Sequence, residues 1–232
     1  PKLATGTYPG WSIGQPSIKD PRKPSPHPES PAWGAIPAEI GRYGGIYPIE
    51  DKVILSYTVG NTLVYELPGS LVHEGLPVFR RRFAMAASDK KTFLMAAEIT
   101  DISNVELVDN QILVYHGEKV TAMGLANGSE GVTLSVEDNR YLVVEVAEHA
   151  TTVDFELMLW NGAASEKDKF AGVLANELST LPDFENGTKP YWEEEVLTKG
   201  QVSPDTAAFV TDRLTLPVPN PWKRNVRMVD VS

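Results

Sequence analysis

Cysteine is absent from the 232 residues. Its absence excludes disulfides, thiol catalysis, zinc-thiolate sites and covalent attachment of a c-type haem within this chain. No run of eighteen apolar residues occurs, so nothing is written as a membrane-spanning helix and no membrane insertion is expected. A signal-peptide pattern is missing as well. The chain opens on Pro1 and not on methionine, so it is expected to be a piece of a longer product, and the missing signal does not argue against export. Positive charge is scarce: 21 Lys and Arg stand against 31 Asp and Glu, a net charge of -10. A surface of that sign repels phosphate backbones, and nucleic acid is not expected as a partner.

Reactive constellations are as sparse. There is no Gly-rich phosphate loop, no G-x-S-x-G elbow and no acidic calcium loop. The four histidines, His27, His73, His116 and His149, stand far from metal-ligand spacing. Glu193, Glu194 and Glu195 are adjacent to one another and to Trp192, but three consecutive side chains diverge. Glycoside hydrolysis needs two carboxyl groups facing each other across a substrate. No catalytic residue, no metal site and no cofactor is assigned.

Strands are abundant. Lys52 to Leu67, KVILSYTVGNTLVYEL, reads as a β-hairpin turning at Gly60-Asn61. A two-residue loop would set Leu55 opposite Glu66 and Ser56 opposite Tyr65, mixing polar and apolar on both faces. A three-residue loop, Val59 to Asn61 with Asn61 left-handed, gathers Val53, Leu55, Tyr57, Leu63, Tyr65 and Leu67 on one dry face, and that register is expected. In PVFRRRFAMA, alternation places Phe79, Phe83 and Met85 on one face and Arg80 and Arg82 on the other. Arg81 falls on the apolar face, so it is either paired with a carboxylate or carried on a bulge. From Val105 to Trp160, short alternating runs follow one another at even spacing, joined by DN, GE, ANGSE, DN and EHA. The one helix expected lies between Ala163 and Leu178, as a lid or edge cover, with Ser165 as cap and Phe170, Val173, Leu174 and Leu178 at helical spacing.

About ten strands exceed the usual content of one sheet, so the fold class is all-β, an antiparallel β-sandwich with one short helix. Ten of the 18 prolines fall in residues 1–48, which are expected to be extended and irregular and to wrap the domain, with a short helical turn at Pro37 to Gly41. The sandwich core is placed at 49–216, and a linker into a following domain at 217–232. Among candidate ligand-binding residues, Trp11, Trp33 and Trp192 lie in loops and suit an aromatic platform for carbohydrate, while Arg81 suits an anion. Asn127-Gly-Ser and Asn186-Gly-Thr fit the glycosylation pattern, a short match that decides nothing by itself.

Three segments carry a resemblance: SPAWGAIPAEIGRYGGIYPIEDKVILSYTVGNTLVYELPG, PVFRRRFAMA, and the end from LTKGQVSPD to NPWKRNVRMVDVS. They contain W-G-x-x-P, G-x-Y-x-G-x-Y, the VLSYTVG-type hairpin, a strand with F-x-R and a closing NPWK. Together they resemble an uncharacterised N-terminal module of large secreted planctomycete- and verrucomicrobia-type proteins, which continue into a β-propeller and a c-type cytochrome region of dehydrogenase type. The resemblance implies a secreted or periplasmic setting, other domains of the same parent as partners, and redox chemistry housed outside this chain, with the first propeller strand near Asn225 to Val231. It supplies no catalytic residues. Three readings follow: a non-catalytic structural or docking module of an exported redox or sugar-processing protein, a carbohydrate-binding module, or a glycan-active enzyme domain.

Overall fold

The computed structural model describes residues 2–3, 10–22, 35–100, 103–184, 186 and 194–226. Two compact units divide the chain, residues 1–186 and 187–232. The first is all-β, with antiparallel sheets, as expected. Its large sheet runs in the order β3 (Gly41–Ile49), β4 (Lys52–Val59), β5 (Thr62–His73), β6 (Leu76–Met85), β13 (Val153–Ala163), β10 (Lys119–Leu125), β9 (Gln111–His116), β8 (Asn104–Val108). In the smaller sheet, β1 (Lys2–Leu3) and β2 (Trp11–Ile13) both pair with β7 (Thr92–Glu98), followed by β12 (Tyr141–Val146) and β11 (Val132–Glu137).

Strict alternation sorts side chains between two cores. Phe83 and Met85 of β6, Met123 and Leu125 of β10, and Phe155, Leu157 and Leu159 of β13 face the smaller sheet, where Leu94, Leu142 and Val144 meet them. Their neighbours in sequence face the other way: Val78, Ala122, Met158 and Trp160 pack under helix α1 (Lys167–Leu174) through Phe170, Val173 and Leu174. Strands covered on both sides lose their polar residues, which is why β10 reads VTAMGL with every residue from Val120 to Leu125 buried.

Several expectations need correction. The hairpin has a two-residue loop: Val59 faces Thr62, Tyr57 faces Val64 and Leu55 faces Glu66. Gly60, not Asn61, takes the left-handed φ of +58°, the Gly-first pattern of a II′ turn. The mixed faces that argued against this register are tolerated because both are covered. Val59 and Val64 join the inter-sheet core, while Ile54 and Leu67 pack outward against Phe184. Residues 41–49 are not irregular but form the edge strand β3, where the missing N–H of Pro48 costs least. The turn at Pro37 to Gly41 is present, its Pro37 carbonyl accepting from Ile40 N (2.9 Å) and Gly41 N (3.2 Å). Ser165 caps nothing: residues 164–166 are a 3-10 turn, neither helix start has a side-chain cap, and α1 covers a sheet face instead of an edge. Phe79 shares the side of Phe83 but is 59% exposed.

In the second unit, β14 (Gly200–Gln201) pairs with β15 (Arg213–Leu214). Trp222 Nε1 donates to the Glu194 carbonyl at 3.1 Å, and Asn220 accepts from Arg224 N at 3.1 Å. The strand expected near Asn225 to Val231 lies mostly outside the described residues. Among them, no helix is long and apolar enough to cross a membrane.

Candidate functional site

Three neighbouring strands bring three polar side chains together on the face that looks at β2. In this register Tyr57 of β4 and Arg81 of β6 are the diagonal neighbours of Glu66 on β5, within reach of long side chains. Glu66 is 6% exposed and both its oxygens are engaged. Tyr57 donates its hydroxyl proton to Oε2 at 2.8 Å, and Arg81 Nε donates to Oε1 at 2.7 Å. The line is completed by Trp11, whose indole N–H donates to the Tyr57 oxygen at 3.0 Å. A buried carboxylate is tolerated only when paired and hydrogen-bonded, and here it is both. Burial, then the Glu66 charge, pushes the Tyr57 phenol far above its ordinary value, so its proton stays in place as a donor.

Aromatic packing fixes this line from below. The Arg81 guanidinium lies 5.0 Å from the Phe83 ring centroid. Trp11 meets Phe83 edge-on at 5.9 Å, and Phe83 stacks on Phe155 at 4.6 Å.

Above it opens a pocket of about 690 Å³, within the range of small-ligand sites. Its outer wall is residues 35–43, with Ile36, Ile40, Arg42 and Tyr43 reaching it. Local backbone contacts hold that wall close. Ile40 O accepts from Gly60 N at 2.7 Å, tying the wall to the hairpin turn. A β-carbon on Gly41 would lie 2.5 Å from Thr58 O, so only glycine lets the chain enter β3 at this distance. Tyr43 stands 73% exposed at the mouth. A second cavity of about 680 Å³ shares Trp11 and Ile40 and reaches Asp20 and Arg22. Those two residues form an ion pair at 2.8 Å, and the hydrogen bond from Arg22 holds the Asp20 carboxyl below its usual range.

The residues singled out from sequence meet different fates. Arg81 has its carboxylate partner and no bulge, which resolves the alternative left open by parity. Trp11 is not on an open loop: it belongs to β2, is 5% exposed and reaches the pocket from within the core. Trp33, Trp192, His27 and Glu193 lie outside the described residues. Glu194 and Glu195 are exposed. His149 is structural, its Nδ1 2.7 Å from Ala147 O and its Nε2 3.0 Å from Ala86 O, so that it bridges two loops. Among the described residues no cluster of three or more His, Cys, Asp or Glu is placed to hold a metal.

Sequence reasoning missed Tyr57, Glu66, Arg42 and Tyr43. The available signal was a pair of opposite charges, Glu66 set between Tyr65 and Leu67, and Arg81 sharing by parity the face of Phe79, Phe83 and Met85. A second buried carboxylate, Glu156, was missed too. It accepts from both the backbone N–H (2.8 Å) and the hydroxyl (2.9 Å) of Ser179, stapling the segment after α1 to the sheet.

Residues 1–66 match the family model of a domain of unknown function, DUF6797. Every residue lining the larger pocket except Arg81 falls inside that stretch. No curated protein and no solved structure matches the chain.

Proposed function

We propose that this chain is a non-catalytic binding module of an exported multidomain protein, and that its site is the pocket over the Trp11–Tyr57–Glu66–Arg81 line, with carbohydrate as the ligand class. The observation that supports this is the combination of an apolar and aromatic wall with polar groups whose positions are already fixed. A sugar ring offers an apolar C–H face to such a wall and a polar edge to such groups. Turnover is disfavoured by the same geometry. Among the described residues Glu66 is the only carboxylate lining the pocket, and each of its oxygens already accepts a hydrogen bond, whereas glycoside hydrolysis requires a facing pair with one oxygen free to move a proton.

Titrating soluble oligosaccharides against the intrinsic tryptophan fluorescence of the folded chain tests this reading. Saturable binding that Tyr43→Ala weakens is expected, because Tyr43 is exposed at the mouth and its loss leaves the core untouched. A panel of neutral and acidic oligosaccharides without effect on the signal or on thermal stability would refute it.

A second reading is a docking face for another domain of the same parent. It is favoured by β3, an edge strand of the large sheet with Ile46 55% exposed next to Tyr43. The exported multidomain setting rests on the resemblance described above. Sequencing the parent gene beyond the codon for Ser232 and fractionating its product test it.

A further inference from the structure

Charge around the pocket runs against the charge of the chain. The protein carries a net charge of -10, yet among the described residues the pocket is lined by two guanidinium groups, Arg42 and Arg81, and one carboxylate, Glu66. Arg81 spends only Nε on Glu66. Its two terminal amino groups have no hydrogen-bond partner among the described residues, and the Arg42 side chain has neither a hydrogen bond nor an ion pair there. A guanidinium bound side-on through Nε keeps its end-on fork, the pair of terminal nitrogens whose spacing matches the two oxygens of a carboxylate. Arg81 is also held in orientation by Glu66 below and Phe83 beside it, so little side-chain entropy remains to be lost on binding.

We infer that the pocket selects an acidic saccharide, one whose ring carboxylate is taken by the free fork of Arg81 with Arg42 as the second positive group. The inference rests on the carbohydrate reading and narrows it. The buried Glu66 contributes by anchoring Arg81, and its own negative charge is neutralised in doing so. Among the described residues the excess positive charge is therefore one, supplied at the exposed Arg42. The apolar wall formed by Ile36, Ile40 and Tyr43 excludes a bare inorganic anion as the best ligand, because such an ion leaves that surface unfilled.

The test compares uronate trisaccharides, trigalacturonate and trimannuronate, with their methyl esters, which keep size and shape and lose the charge. Neutral galactotriose and inorganic phosphate serve as further probes, and affinities are read by calorimetry on the full chain. At least one uronate is expected to bind about ten- to a hundredfold more tightly than its ester, with the advantage shrinking as salt is raised. Arg42→Ala and Arg81→Lys should each remove most of that advantage, so that the affinities for uronate and ester converge, and a thermal melt on each variant separates lost recognition from lost folding. Equal affinity for acid, ester and neutral sugar, or uronate affinity indifferent to both variants, overturns the inference and leaves carbohydrate binding standing. Phosphate displacing the uronate at equal concentration overturns it as well, since the sugar ring would then contribute nothing. Absence of binding by any of the saccharides overturns both it and the carbohydrate reading.

Discussion

Replacing Glu66 by alanine separates the anchoring of the pocket from its ligand chemistry. The substitution removes the acceptor of two short hydrogen bonds, 2.7 Å from Arg81 and 2.8 Å from Tyr57, at a side chain 8% exposed. A hydrogen bond to a charged group is worth about 1.5 to 3 kcal/mol, and a buried hydroxyl left without its acceptor costs about 1 to 3 kcal/mol. Arg81 is 26% exposed, so water recovers part of its loss. The expected cost is therefore about 2 to 4 kcal/mol, below the sum of the two contributions. Glu66→Gln retains one acceptor and the volume, and should cost about half as much. The double variant Glu66→Leu with Arg81→Met replaces the pair by apolar side chains of similar size and should return to within about 1 kcal/mol of the parent, without ligand binding. Urea unfolding followed by far-ultraviolet circular dichroism measures all three. A Glu66→Ala variant destabilised by less than about 0.5 kcal/mol would show that water screens the pair, and the argument for a preorganised pocket floor would fail with it.

Two further outcomes follow from the same geometry. Tyr57 is held protonated well above its ordinary value near 10, by burial first and then by the charge of Glu66. The folded state thus keeps a proton that the unfolded chain releases, so this stabilisation is whole below about pH 10 and declines by up to about 1.4 kcal/mol per pH unit above it. The urea midpoint should fall more steeply above pH 10 for the parent than for Tyr57→Phe, and parallel slopes would refute the assignment. Elsewhere, a β-carbon on Gly124 would overlap Leu174 Cδ1 and lie 2.8 Å from Cδ2, so Gly124→Ala should push α1 off β10 at a cost of about 1 to 3 kcal/mol, read as a lowered Tm.

The repetitive part of the fold was legible because its turn chemistry agrees with its alternation. Asp109, Gly117, Asp138 and Asn139, read from sequence as the turns between short strands, all take positive φ, and β8 to β12 fall where the alternating runs were placed. Strand β3 was not legible: it lies almost wholly in the stretch read as irregular for its prolines, yet an edge position absorbs Pro48 and a register shift between Tyr43 and Gly45 absorbs the glycines. A β-carbon on Gly44 would sit 2.6 Å from Ser56 Oγ, so this glycine is a requirement of close strand pairing.

The site itself was hidden by one residue of loop length. Side chains alternate along a strand, so changing the hairpin loop from three residues to two moves every position of β5 to the opposite face relative to β4. The rule that polar residues point outward chose the longer loop and sent Glu66 to the wetter face, away from Arg81 and Tyr57. In the structure that rule fails at the point where a carboxylate and a guanidinium satisfy each other inside the sandwich. The parity argument did succeed for Arg81, because Phe79 and Phe83, which share its face of β6, left only a paired charge or a bulge as explanations. Applied jointly to β5 and β6, it would have required a buried acid one strand away, and Glu66 is the acidic residue of β5. A polar residue that breaks the alternation of a covered strand therefore marks the place to look for a partner, and around the partner for a pocket.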